Sequence, residues 1–128
     1  MKVFVCSPYR NDDKEIVAKN VKAAQALCRQ ISLSGHALFA PHLLYTQFLD
    51  DGIPEEREAG INAGKAFLLL CDLMLVWDYN GITEGMAHEI EFAEANSIRV
   101  KLMSEIEITL EGYLAVIQIC DKEKKSKC

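Results

Sequence analysis

The sequence predicts an α/β protein, a three-layer sandwich around a mainly parallel sheet of four to five strands, Rossmann- or flavodoxin-like. Two observations carry that expectation. Short apolar runs alternate along the chain with longer segments whose apolar residues recur at three- and four-residue spacing. Strands separated by helices pair in parallel, and their crossovers place helices on both faces of the sheet. Length adds a third constraint: 128 residues, 50% of them hydrophobic and 26% charged, make one domain with a single core. The domain is expected over residues 1–120, followed by a charged tail at 121–128.

Each element has a local reason. Lys2 to Cys6 (KVFVC) is an apolar run too short for a helix, so it reads as a buried strand. Asn11, Asp12 and Asp13 then offer side-chain oxygens that cap a helix. Val17, Val21, Ala24, Cys28 and Ile31 lie on one face of that helix, and Ser34-Gly35 ends it. A second strand covers about Ala37 to Ala40 and runs into Pro41-His42. Leu43 to Pro54 mixes apolar and acidic residues around the turn Asp50-Asp51-Gly52 and has no clear period. Pro54 with Glu55 and Glu56 suits a helix start, since Pro fits the first turn and acids favour the positive end of the dipole. That helix is expected to reach about Leu70. Leu73 to Trp77 is the third strand, Glu84 to about Asn96 the next helix, and Arg99 to Met103 the fourth strand. Ile106 and Ile108 alternate with Glu105 and Glu107, the pattern of a short edge strand. Leu110, Tyr113, Leu114 and Ile117 form the apolar stripe of a last helix, and the lysine-rich segment after Cys120 is expected to fray.

Composition excludes several function classes. Net charge is −5, and the only basic cluster lies within Lys122 to Lys127. A surface that binds polymeric nucleic acid needs a basic face, so that partner is not expected. A small nucleotide needs only a few N–H groups and an arginine, so it remains within reach. The five cysteines (6, 28, 71, 120 and 128) form no CxxC pair, and three of them sit in apolar patterns as buried thiols do. Nothing like a signal peptide precedes Val3, and no apolar run approaches the roughly 20 residues that span a bilayer. A reduced, cytoplasmic protein without membrane contact is expected.

The segment Asp72 to Glu89 is the most informative. An apolar run ends in a Gly-bearing loop and a helix begins just beyond, so Glu89 falls at the carboxyl edge of the sheet, where open α/β folds bind ligands. Thr83 is placed to cap that helix, and Gly85 and Met86 share a face with Glu89. Against this stands the plain alternative that Glu89 is one of several acids (84, 89, 91, 94) on a solvated face. Ser7, Tyr9 and Arg10 follow the first strand at the same edge and offer a hydroxyl, a phenol and a guanidinium to a sugar or a phosphate. Asp72 starts its strand at the opposite edge and is expected to orient a loop. Trp77 could stack on a base, although an aromatic closing a core strand is the commoner outcome. No metal is expected: His88-Glu89 lacks the second histidine of HExxH, and His36 and His42 have no partner at ligand spacing. Glycine-rich phosphate loops are absent, and no organic cofactor is expected.

Ser7-Pro8-Tyr9-Arg10 after the first strand, Pro41-His42 after the second, and Asp72, Trp77, Thr83, Gly85, Met86, Glu89 and Ile90 together resemble the nucleoside 2-deoxyribosyltransferase-like proteins. The nearest likeness is to a small-domain branch found in bacteria and their phages, and it covers Lys2 to about Met103. The resemblance implies an enzyme that exchanges or hydrolyses the N-glycosidic bond of a nucleoside or its 5′-monophosphate. It casts Glu89 as the nucleophile, with Ser7, Tyr9, Arg10, His42, Trp77, Thr83, Gly85 and Met86 binding the substrate. Thr83 stands where the monophosphate hydrolases carry a phosphate-contacting serine. The resemblance also implies a homodimer or higher oligomer whose subunits complete each other's pockets. Two positions depart from the pattern. Phe4 occupies the place of a tyrosine that hydrogen-bonds the nucleophile. The helix before the third strand has no aspartate to protonate the leaving base, which leaves Glu58 and Asn62 as acid/base candidates. A non-catalytic nucleotide-binding module of the same fold is the alternative that these departures favour.

Overall fold

In a computed structural model describing residues 1–126, with side chains described through Asp121, four strands and five helices alternate along the chain. The strands are β1 (Lys2–Cys6), β2 (Ala37–Phe39), β3 (Leu73–Val76) and β4 (Arg99–Leu102). The helices are α1 (Lys14–Leu33), α2 (Pro41–Leu44), α3 (Pro54–Leu68), α4 (Glu84–Ala95) and α5 (Leu110–Ser126). The sheet runs β2-β1-β3-β4 and every pair is parallel. The chain therefore reverses its direction of sheet growth between β1 and β3, which opens a crevice beyond their carboxyl ends.

Side-chain parity divides the core into two layers. Val3, Val5, Leu73 and Leu75 point to one face and pack with Leu27 and Ile31 of α1 and Leu114 of α5. Phe4, Cys6, Met74 and Val76 point to the other and pack with Leu68 of α3 and Met86 and Ala93 of α4. Successive strand residues alternate faces, and β1 and β3 are in register, Phe4 beside Met74 and Cys6 beside Val76. All four residues of β3 are buried, each contributing roughly 1.5–3 kcal/mol, so the central strand has little freedom to slip.

Helix ends follow the expected chemistry. Asp13 caps α1 by accepting from the Glu15 amide at 2.9 Å. Gly35, at φ +86°, reverses the chain after α1 at an angle that costs an L side chain. Asp72 accepts from the Lys2 amide at 2.8 Å, tying the start of β3 to β1 at the amino edge rather than orienting a loop.

Three details differ from the expectation. The alternating segment at Ile106–Ile108 joins no sheet among the described residues; β4 is followed by a 3-10 turn at Met103–Glu105. Ile106 packs against the α1/α5 layer while Ile108 is exposed, so the alternation reflects one anchored side chain rather than strand pairing. Leu43 to Pro54, which has no readable period, begins with the end of the four-residue α2 and a 3-10 turn at Tyr45–Gln47, pieces too short to show one. The last helix continues past Cys120 to Ser126 instead of fraying there, and the tail's final two residues lie outside the described residues.

Candidate active site

Beyond the carboxyl ends of β1 and β2, α3 and α4 enclose a cavity of about 350 Å³ with the loops that follow those strands. Phe4, Leu68 and Met86, all buried in the α3/α4 layer, form its apolar floor. An apolar floor with a few converging polar groups is the usual form of a small-molecule site.

The amino end of α4 supplies the first wall. Gly81, at φ +91°, turns the chain after β3, and its amide donates to the Asp78 carbonyl at 3.0 Å. Thr83 caps the helix, its hydroxyl accepting from the Met86 amide at 3.2 Å. Met86 is only 1% exposed and holds this first turn down on the sheet. Glu89, just under one turn beyond Met86, projects into the cavity with a side chain 20% exposed. Of the four acids on this helix, Glu91 and Glu94 line no part of the cavity, Glu84 lines it but is exposed, and Glu89 is the one partly buried in it.

His42, on α2, faces Glu89 from the opposite wall. Its Nε2 lies 3.8 Å from Glu89 Oε1, an electrostatic approach rather than a hydrogen bond. The Tyr9 ring stacks on the imidazole with centroids 5.5 Å apart and planes 13° apart, fixing the ring's orientation. Burial pushes the Cys6 thiol well up, and the Glu89 charge pushes it further, so Cys6 stays a neutral thiol beside the pocket floor. A nucleophilic role for Cys6 has no support in that setting.

Ser7, Tyr9, Arg10, His42, Thr83, Gly85, Met86 and Glu89 all line this one cavity. Three expected residues do not. Trp77 follows Val76 in the strand alternation and so packs on the α1/α5 layer, edge-on to Tyr79 with ring centroids 4.7 Å apart. Glu58 and Asn62 are absent from the lining for a helical reason: α3 presents Glu56, Arg57, Gly60, Ile61, Gly64, Lys65 and Leu68 to the cavity. Positions 58 and 62 lie about 200° around the helix from Gly60, on its outer side, and both are exposed. The acids that α3 and its preceding turn do bring to the cavity are Glu56 and Asp51.

Asp51, Glu56, Arg57 and Lys65 escaped the sequence reading. The periodic signal was there, in Gly60 and Gly64 spaced one turn apart. At Gly60 a side chain would meet Leu49 and Tyr45, and at Gly64 it would meet Pro41, which marks the face packed towards α2. Asp51 receives Arg10 Nε at 3.8 Å and Arg57 Nε at 3.9 Å, while Glu56 accepts from the Asp50 amide at 3.2 Å. Lys65 lies over the Phe92 ring, 5.5 Å from its centroid. Histidines do not gather: His36 lies at the amino edge, with the Met1 ammonium 2.9 Å from its Nδ1. Among the described residues no three His, Cys, Asp or Glu side chains form a metal-ligand group, and no helix is long and apolar enough to cross a membrane.

Comparison with known proteins bears on the fold. A solved 2-deoxyribosyltransferase from the psychrotolerant bacterium Bacillus psychrosaccharolyticus has the same fold, with a TM-score of 0.59 at 22% identity over 86% of this chain and 78% of that one. No curated protein matches the sequence. The four-stranded parallel sheet between two helical layers is thus a Rossmann-like fold distantly related to that of a deoxyribosyltransferase. At the level of sequence, a model described as "Domain of unknown function (DUF7768)" matches residues 1–103, and the chain belongs to that family.

Proposed function

We propose that the protein cleaves the N-glycosidic bond of a (deoxy)nucleoside or nucleoside 5′-monophosphate, passing the sugar to water or to an acceptor base. One observation carries this reading. Glu89 holds a partly buried carboxylate in a cavity with an apolar floor, and among the described residues no hydrogen bond engages either of its oxygens. A buried carboxylate serving only the fold would be expected to have its oxygens paired. The likeness in fold to a 2-deoxyribosyltransferase supports the same reading.

In the proposed reaction a Glu89 oxygen attacks C1′ of the sugar as the C1′–N bond breaks, and that bond's electron pair leaves with the base. A carboxylate suits this step because the transition state resembles an oxocarbenium ion, and the product is a glycosyl ester. Water or the nitrogen of a second base then attacks C1′ and returns the carboxylate. The departing base nitrogen needs a proton. Glu56, which faces the cavity from α3, is our proposed donor in place of Glu58 and Asn62. His42 sits beside Glu89 where Phe4 offers no hydroxyl, and in its protonated form it steadies the carboxylate electrostatically.

Base release from deoxynucleosides and their 5′-monophosphates, followed by chromatography with and without an acceptor base, tests the reading. Glu89→Gln should lower release by at least ~10³-fold while leaving the melting temperature close to wild type. Glu56→Gln should lower it by roughly 10²-fold. Failure of the wild type to release base, with the ligands still raising its melting temperature, would favour a nucleotide-binding module instead. The missing phenol at Phe4 is the observation on that side. For the homo-oligomer implied by the family resemblance, Phe67, Leu69 and Leu70 at the end of α3 offer an exposed apolar surface.

A further inference from the structure

Arg10 and Arg57 reach the cavity mouth from different elements, the loop after β1 and the first turn of α3, and converge on one carboxylate. Asp51 takes both, but weakly. Arg10 Nε stands 3.8 Å from Asp51 Oδ2 and Arg57 Nε 3.9 Å from Oδ1, both beyond hydrogen-bond distance. Among the described residues neither guanidinium makes any hydrogen bond, so the paired donors at the tip of each fork stay available. Both guanidiniums share this one carboxylate, and the cavity's other acids, Glu56, Glu84 and Glu89, form no ion pair with either among the described residues. A phosphomonoester carries about −1.5 to −2 near neutral pH and offers three acceptor oxygens, so it matches two forks better than one carboxylate does.

From this we infer that Arg10 and Arg57 form a phosphate subsite at the cavity mouth, with Asp51 as an internal anion that the phosphate of a nucleoside 5′-monophosphate displaces. The inference rests on the glycosidic reading for the rest of the ligand. It narrows the substrate class to the monophosphate over the free nucleoside, and it assigns roles to Asp51 and Arg57 that the sequence pattern did not suggest. Asp51 is free to move, because it sits in the turn Asp50-Asp51-Gly52 immediately before α3, and the turn's own hydrogen bond, Gly52 amide to Asp50 Oδ1 at 2.9 Å, does not involve its side chain.

Calorimetric titration of Glu89→Gln protein, which does not turn its ligand over, tests the subsite with a deoxynucleoside, its 5′-monophosphate and inorganic phosphate. The monophosphate should bind at least ~10-fold more tightly than the nucleoside, as charge-assisted hydrogen bonds are worth roughly 1.5–3 kcal/mol each. Adding Arg57→Ala should erase that advantage and leave nucleoside binding unchanged, and Arg57→Lys should restore part of it. Adding Asp51→Asn should tighten monophosphate and inorganic phosphate binding several-fold by removing the internal competitor. Equal affinities for the two ligands, no effect of Arg57→Ala, or weaker phosphate binding in Asp51→Asn would each overturn the inference. Base release separates the two readings: wild type that cleaves nucleosides and ignores monophosphates keeps the glycosidic function and sinks the subsite. Tight, Arg57-dependent monophosphate binding without any base release does the reverse.

Discussion

Two of the carboxylates that follow β3 are built in opposite ways. Asp78, two residues beyond the strand, is fully occupied: it accepts from the Ser104 amide at 2.9 Å and from the Ser104 hydroxyl, clipping the loop after β3 to the turn after β4. Tyr79 reinforces the clip with a hydroxyl 3.3 Å from the Met103 carbonyl. Glu89, eleven residues later, has only the 3.8 Å approach of His42. A polar group with matched partners is spent on the fold, whereas one left half-engaged in a cavity is available to a ligand. The same contrast separates Asp72, satisfied by the Lys2 amide, from Asp51, shared loosely by two arginines.

The contrast extends to the two layers. The α1/α5 side is closed by large side chains, and Trp77 is part of that closure. Trp77→Ala should therefore lower stability by about 2–4 kcal/mol in a denaturant titration, less than for a fully buried Trp because the ring is only partly covered. Nucleotide binding at 25 °C should be unaffected where the variant is folded. A weakened Kd with unchanged stability would mean that Trp77 belongs to the pocket after all and that the two layers are not separate.

How much of this was readable beforehand follows from the range of each signal. Strand and helix placement depends on local periodicity, so β1, α1, α3, β3 and α4 stand where the sequence puts them, within a residue or two. Part of the pocket was readable for the same reason: Ser7, Tyr9 and Arg10 follow the end of β1, and Thr83, Gly85, Met86 and Glu89 stand on the opening turns of the helix after β3, which the carboxyl edge of a parallel sheet gathers. What failed needed a phase. Trp77 was separated from the pocket by strand parity, and Glu58 and Asn62 by helical rotation, each fixed only once the inward face is known. Asp51 and Arg57 depend on a tertiary meeting with Arg10 that no local pattern encodes.

Asp78 gives the next effect in size. Burial alone would raise its pKa, but the hydrogen bonds from Ser104 outweigh this and hold it below the ordinary carboxylate value. A carboxyl held low in the folded state adds stability at pH values above its unfolded pKa, near 4, and that stability is lost as pH falls through the lower folded value. Asp78→Asn should cost about 1–2 kcal/mol at pH 7, flatten the acid limb of the stability curve, and leave base release within twofold of wild type. Loss of base release without loss of stability would show that the loop after β3 serves the site directly rather than the fold.

The smallest expected effect bears most directly on the chemistry. Glu58 and Asn62 are the residues of α3 nearest in sequence to where a proton donor was expected, but the helix turns both outward while Glu56, two residues earlier, turns in. Glu58→Ala and Asn62→Ala should each change stability by less than about 0.5 kcal/mol, as exposed helix positions do, and change base release by less than twofold. A large loss of activity from either would require that residue to reach a reacting base from the outer face of α3, which only a second subunit's pocket would permit. Should both prove silent while Glu56→Gln lowers release, the acid is supplied within one chain, and helical phase rather than residue type decides which carboxyl does the work.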